Sequence, residues 1–247
     1  MGKLDGQVAI VFGASSGMGR ATAAAFAAEG AVVVAAARRA TELASLASTA
    51  GAGLITPVVA DIATRDQVDD VVKMTVARFG RLDTVVNAAG INTPNRKLTT
   101  LDHASWDKII AVNLTGAYNV TQSVLPRMRE QHNGLIVHIS SISGKWGDFS
   151  GAAYQASKHG LVGLAYATMA EERLNGIRVT VIFPGLCDTS LLNNRPVPPT
   201  QELRDQMMKP EDIAAGALFV ASLPARTYVP ELVMMPGALQ CVGIAAL

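Results

Sequence analysis

In the stretch YQASK, Tyr154 to Lys158, a phenol and an ammonium stand four positions apart. On a helix that spacing stacks two side chains one turn apart on the same face. A phenol can give up a proton, with an ordinary pKa of about 10, and a neighbouring cation favours its phenolate. The pair could therefore act as a general acid or base together with the charge that tunes it. The same spacing also describes an exposed contact on a helix surface. The chemistry is meaningful only if the chain also supplies a hydride source, a hydroxyl to polarise a carbonyl, and a pocket.

A hydride source is suggested near the N-terminus. GASSGMG, Gly13 to Gly19, follows an apolar β-branched run and has the spacing G-x-x-x-G-x-G. Gly13, Gly17 and Gly19 allow the backbone to turn sharply and approach a pyrophosphate, and the free N–H groups of a following helix attract the anion. Ser15, Ser16 and Met18 inside the turn are then candidate cofactor contacts. The plain alternative is a glycine-rich turn between strand and helix. After the second apolar run comes AARR, with no carboxylate to accept from ribose hydroxyls and with two guanidiniums, Arg38 and Arg39. A carboxylate would repel a 2′-phosphate and an arginine fork would bind it, so the expected cofactor is NADP(H) rather than NAD(H). The alternative for the arginines is a solvated pair at a strand end. NAAG, with Asn87, Ala88 and Gly90, ends a fourth run in small residues that leave room for a ligand at a sheet's carboxyl edge, although ordinary turns have the same composition.

The elements that must hold these residues alternate regularly. Runs at 7–12, 31–36, 54–59, 84–87, 135–140, 178–183 and 231–235 read as buried parallel strands, because they lack the polar alternation of a one-sided sheet. Between them, 17–29, 41–50, 64–79, 105–130, 153–175 and 210–222 read as helices. Asp61 and Thr64 are candidate caps of the third helix, and Asn175-Gly176 is a stop for the fifth. The pattern predicts one doubly wound α/β domain over residues 1–247, with right-handed crossovers and helices on both faces. Residues 186–208, containing RPVPP, form the one irregular stretch, and its length suggests a substrate loop.

Composition excludes other classes. Hydrophobic residues make up 49% of the chain and charged residues 17%, enough for a large core. A net charge of +1 argues against nucleic acid or an anionic membrane as partner. The richest apolar window, 21–37, is interrupted by Glu29 and Gly30 and is too short for a membrane span. Cys187 and Cys241 form neither a disulfide framework nor a zinc spacing, and the start of the chain lacks a secretory h-region, so the expected location is cytoplasmic. His138 has no partner at ligand spacing, which predicts core packing rather than a metal site.

Taken together and in order, the glycine turn, Asp61-Ile62, NAAG, Asn113, Ser141, YQASK and Pro184-Gly185 resemble the short-chain dehydrogenase/reductase family over roughly residues 4–237. The resemblance implies a doubly wound Rossmann fold with a mostly or wholly parallel seven-stranded sheet. It also implies Tyr154 as general acid, Lys158 lowering the phenol pKa and holding the nicotinamide ribose, Ser141 donating to the substrate oxygen, and Asn113 anchoring a proton-relay water. Family spacing picks Ser141 over Ser140. Asp61 would meet the adenine amine, Pro184-Gly185 the nicotinamide and Thr189 its carboxamide. The implied reaction interconverts a carbonyl (a ketone, an aldehyde or a 3-oxoacyl group) with an alcohol, in a homodimer or homotetramer. Alternatives are an NAD-linked alcohol or sugar dehydrogenase, or a nucleotide sensor without turnover.

The loop offers only Arg195, Arg204 and Lys209 to an acyl carrier. Cys187 is expected to touch substrate without a catalytic role, while Trp146, Phe149, Leu191 and Leu192 are either pocket walls or loop anchors. Phe12 stands where the family often has Thr, and YVPELVMMPG lacks the frequent Thr-Gly and Gly-Gly of that region. The apolar residues 238–247 that follow are expected to pack at a subunit interface.

Overall fold

A computed structural model describes residues 2–49 and 54–239 of the chain. Seven strands, β1 (Val8–Phe12), β2 (Val32–Ala37), β3 (Ile55–Val59), β4 (Thr84–Asn87), β5 (Gly134–Ile139), β6 (Ile177–Pro184) and β7 (Glu231–Met234), form a wholly parallel sheet in the order β3-β2-β1-β4-β5-β6-β7. The chain builds outward from β1 to β3, returns to the middle and continues with β4 on the other side. That reversal opens a crevice beyond the carboxyl ends of β1 and β4.

Strand residues feed two apolar layers by alternation. Ala9, Val11, Val33 and Ala35 face one layer, where α1 (Gly17–Ala28), α2 (Ala40–Thr49) and α8 (Pro210–Ala221) contribute Phe26, Leu43 and Ile213. Ile10, Phe12, Val34 and Ala36 face the other, against α3 (Arg65–Phe79), α5 (Gly116–Gln131) and α6 (Ala152–Glu172). Phe12 therefore fills core space under the glycine turn. Pro57 lies in β3, which pairs only with β2 at the sheet edge, where the missing N–H costs no ladder bond on the open side.

The expected element bounds are met to within a few residues, with four informative differences. The expected helix over 105–130 is two helices, α4 (His103–Ile110) and α5, joined by a π turn at Ala111–Thr115. Thr64 stands at the N-cap of α3, but its side chain makes no capping bond; Asp61 instead accepts from the Ala63 N–H at 2.9 Å. Ser140, inside the expected strand run, lies with Ser141 just beyond β5. Residues 186–208 are not wholly irregular: they contain a 3₁₀ turn at Ser190–Asn194 and α7 begins at Gln201 (Gln201–Asp205). Gly176 ends the 3₁₀ extension of α6 at φ 74°, as the stop signal requires. The expected interface segment falls almost entirely outside the described residues, as does Cys241. Among the described residues no helix is long and apolar enough to cross a membrane.

Candidate active site

The crevice at the switch point is a cleft of 410 Å³. Its floor is the glycine turn. Gly13 has φ 80°, and a Cβ there would come within 2.7 Å of the Ala89 backbone N, so both its conformation and its neighbour demand glycine. Ser15, Ser16, Gly17 and Met18 line the cleft. Ser16, the N-cap of α1, is extended and makes no side-chain cap, and the first turn carries no acid, so the N–H groups of that terminus are available to an anion. Arg38, Arg39, Asp61 and Ile62 line the far end, and Ala88, Gly90 and Thr189 the near end. Arg39 reaches the Ser15 hydroxyl with Nε and Nη2 at 3.2 and 3.0 Å, and Arg38 lies 3.9 Å from the Asp61 carboxylate.

Six of the residues expected to meet the cofactor do not line this cleft: Gly19, Asn87, Tyr154, Lys158, Pro184 and Gly185, of which Tyr154, Pro184 and Gly185 line a cavity beside it. Gly19 is buried in α1, where a Cβ would meet the Gly13 carbonyl oxygen at 2.5 Å, so it shapes the turn. Asn87 is turned inward: its Oδ1 accepts from Ala89 N at 3.2 Å and its Nδ2 lies 3.5 Å from His138 Nδ1. Thr121 donates to Ala117, which leaves its oxygen to accept from His138 Nε2 at 3.2 Å. His138 is thus a hydrogen-bonded core residue whose pKa burial, with Lys158 nearby, depresses to about 4. Among the described residues no group of three or more His, Cys, Asp or Glu is placed to hold a metal ion.

At Met18, Thr189 and Leu191 the cleft adjoins a smaller cavity of 90 Å³ that contains Ser141, Tyr154, Pro184 and Gly185. Ser141 caps a 3₁₀ turn at Ile142–Gly144, and its Oγ accepts from Ser143 N at 3.1 Å. The Ser141 hydroxyl donates to Ser143 Oγ at 3.1 Å and lies close enough to Tyr154 to favour the phenolate, but burial outweighs it and the phenol is pushed up to about 12. Asp148 adds to the rise, while Arg96 and Arg195 oppose it.

Lys158 Nζ lies 5.7 Å from the Tyr154 ring centroid and donates to the Ile139 carbonyl, at the end of β5, at 3.0 Å. Its own pKa is lowered to about 8 by burial. The expectation that Lys158 lowers the phenol pKa is therefore not met in the free protein: desolvation of Tyr154 dominates and the ammonium is engaged by a carbonyl. Asn113, in the π turn, bonds the Ile91 N–H through Oδ1 at 2.9 Å, and its Nδ2 donates to the Ile91 carbonyl and to Ser157 Oγ, each at 3.0 Å. A Cβ on Gly90 would lie 3.4 Å from Lys158 Nζ and 3.6 Å from Asn113 Oδ1, so these three residues meet at one point.

Several residues of the site carried no signal in the sequence. Ser157, inside YQASK, passes the Asn113 contact on to the Tyr154 carbonyl at 2.7 Å. Asp148 accepts from Ser143 and from Ser150, and Asn92 donates to the Ser150 carbonyl at 2.9 Å, so a polar web braces the turn that carries Ser141. Arg96 lines the cavity from the segment after β4. Of the expected walls, Leu191, Leu192 and Cys187 line the small cavity and Phe149 a larger one of 630 Å³ beyond Ser141, whereas Trp146 lines neither. Burial pushes the Cys187 thiol to about 12, so it presents no thiolate.

Comparison with known proteins agrees with this geometry. A family model described as short chain dehydrogenase matches residues 7–198. A 3-oxoacyl-(acyl-carrier-protein) reductase of Thermotoga maritima is 36% identical over 244 residues, 96% of this chain and 99% of that protein. A metagenomic short-chain oxidoreductase solved in complex with NADP is 33% identical with a TM-score of 0.80, covering 94% of this chain and 97% of that one. A 3-ketoacyl-(acyl-carrier-protein) reductase from Brucella melitensis, solved with NADH, is 28% identical with a TM-score of 0.87, covering 95% and 98%. The sheet order, the glycine-floored cleft and these likenesses agree: the chain belongs to the short-chain dehydrogenase/reductase family and is a nicotinamide-dependent oxidoreductase.

Proposed function

We propose that this enzyme reduces a carbonyl compound to an alcohol with NADPH, Tyr154 giving the proton and Ser141 polarising the carbonyl. The observation that carries the reading is the Ser141–Tyr154 hydroxyl pair in a small cavity adjoining the cleft. The cofactor fits the residues present: the glycine turn and the open end of α1 would take the pyrophosphate, and Arg38 and Arg39 would take a 2′-phosphate. When bound, NADPH supplies hydride to the carbonyl carbon. The electron pair of the C=O bond moves to oxygen, where Ser141 donates a hydrogen bond and the Tyr154 proton is taken up. Tyr154 then regains its proton from solvent.

A phenol held near pKa 12 keeps its proton at neutral pH, which suits donation and therefore reduction. Lys158 keeps a positive charge below about pH 8 and lies where phenolate character develops. A water relay through Asn113 would have to use the second lone pair of Oδ1, because both amide hydrogens are engaged. Relatives with NADP and with NADH both occur, so the preference for NADPH rests on the two arginines. Tyr166 on α6 and Phe219 on α8, 45% and 51% exposed, offer apolar surface for the expected dimer or tetramer.

The test follows loss of reduced-nicotinamide absorbance with aldehydes, ketones, sugars and acyl thioesters, using NADPH and NADH side by side. Oxidation of NADPH with at least one carbonyl class, faster than with NADH, is expected. No turnover of any class by enzyme that still binds NADPH would remove the reductase reading.

A further inference from the structure

Among the described residues, two guanidiniums beside the Ser141–Tyr154 pair form no salt bridge, and Asp148 alone among carboxylates favours their charged forms from a distance. Arg96, in the segment after β4, and Arg195, just past the 3₁₀ turn at Ser190–Asn194, each line both the 90 Å³ cavity and the 630 Å³ cavity beyond it. Both are part-buried, and both are held below the ordinary arginine pKa, chiefly by burial; the charge of Arg195 adds to the lowering at Arg96. Neighbouring cations are matched: Arg204 bonds Asp188 and Asn193, and Lys209 bonds Asp188. Among the described residues, Arg96 by contrast donates only to the neutral carbonyls of Thr93 and Asn194, at 3.1 and 3.0 Å. Among the described residues neither Arg96 nor Arg195 forms a salt bridge, and the carboxylate facing them, Asp148, accepts instead from Ser143 and Ser150.

Like charges held together in a partly desolvated pocket are unfavourable until an anion joins them. Arginine forks match the two oxygens of a carboxylate, and the small cavity limits how much substrate can lie beside Tyr154. Building on the carbonyl-reductase reading above, we propose that the substrate is a short oxo acid whose carboxylate lies between Arg96 and Arg195 while its carbonyl oxygen meets Ser141 and Tyr154. Substrate charge is then a specificity determinant, and a neutral ketone leaves the arginine pair with Asp148 as its one nearby negative charge among the described residues.

The experiment has two arms on the full chain loaded with NADPH. In the first, a 2-oxo acid and a 3-oxo acid are each compared with their methyl esters. The acid should exceed its ester in kcat/KM by about 10- to 100-fold, the worth of one or two charge-assisted hydrogen bonds. In Arg195→Leu and in Arg96→Leu that ratio should fall towards one, and Arg195→Lys should recover part of it. In the second arm, butyrate and inorganic phosphate are titrated calorimetrically, with butyrate binding to the wild type and not to Arg195→Leu. A wild-type ratio near one, a ratio unchanged in both leucine variants, or binding of phosphate in preference to butyrate overturns the proposal. Butyrate binding that Arg195→Leu abolishes, with no carbonyl turned over, keeps the anion subsite and removes the reductase reading. Turnover of neutral ketones without butyrate binding does the opposite.

Discussion

Lys158 is buried and Tyr154 half-buried on the same face of α6, and desolvation pulls their proton affinities in opposite directions: the phenol rises to about 12 and the ammonium falls to about 8. In each case the uncharged form is favoured, because low-dielectric surroundings penalise charge whatever its sign. The window between the two values is one in which Tyr154 stays protonated while Lys158 loses its charge. If Lys158 holds the cofactor ribose as an ammonium, kcat/KM for NADPH, which reports the free enzyme, should be level from about pH 7 and decline above a pKa near 8. A profile level to about pH 10 would contradict that role. The pairing itself was legible in the sequence because it depends on residue type and helical spacing, while the roles assigned to it came from the family resemblance. The sign of the phenol shift was not, since desolvation depends on what the rest of the fold packs over Tyr154. Arg195 was visible as a loop cation, but its meeting with Arg96 was hidden for a related reason: the two line one pocket but stand 99 positions apart, on segments whose path no local pattern dictates.

At the scale of elements, the π turn between α4 and α5 decides where Asn113 points. Its side chain ties that turn to Ile91 beyond β4 and to Ser157 in α6, so one amide fastens three segments around the cleft. Such single π turns recur at functional sites. Asn113→Ala would leave the Ile91 N–H and carbonyl without partners and the Ser157 oxygen without its donor, in a part-buried place. The expected loss of stability is ~3 kcal/mol, measured as a shift of the urea unfolding midpoint. An unchanged midpoint would mean that the turn holds itself. The sequence predicted a continuous helix here because its apolar pattern runs through the junction; one extra residue in a turn leaves no mark on composition. The strands were legible because parallel strands covered on both faces read as unbroken β-branched runs. The helical turns within 186–208 were not, since they are short and anchored by distant contacts such as Arg204 with Asp188.

For the whole molecule, the parallel order β3-β2-β1-β4-β5-β6-β7 puts the ends of β1 and β4 at the switch point and the end of β5 beside it. The nucleotide cleft and the Ser141–Tyr154 cavity therefore adjoin on one edge of the sheet, while two apolar layers pack against its faces. The sequence indicated the doubly wound architecture and most of the cleft's glycines and arginines, because strand–turn–helix punctuation is local. It did not foresee that Asn87 turns inward to His138, a choice made by the packing of β4 on β5. On the proposed reading, the assembly holds a proton donor beside the place where hydride would arrive. The measurement that tests this most directly is carbonyl-dependent NADPH oxidation by Tyr154→Phe, with NADPH binding followed by fluorescence in the same preparation. Loss of the hydroxyl should lower kcat by roughly 10²- to 10⁴-fold with binding retained; turnover equal to the wild type would contradict the account.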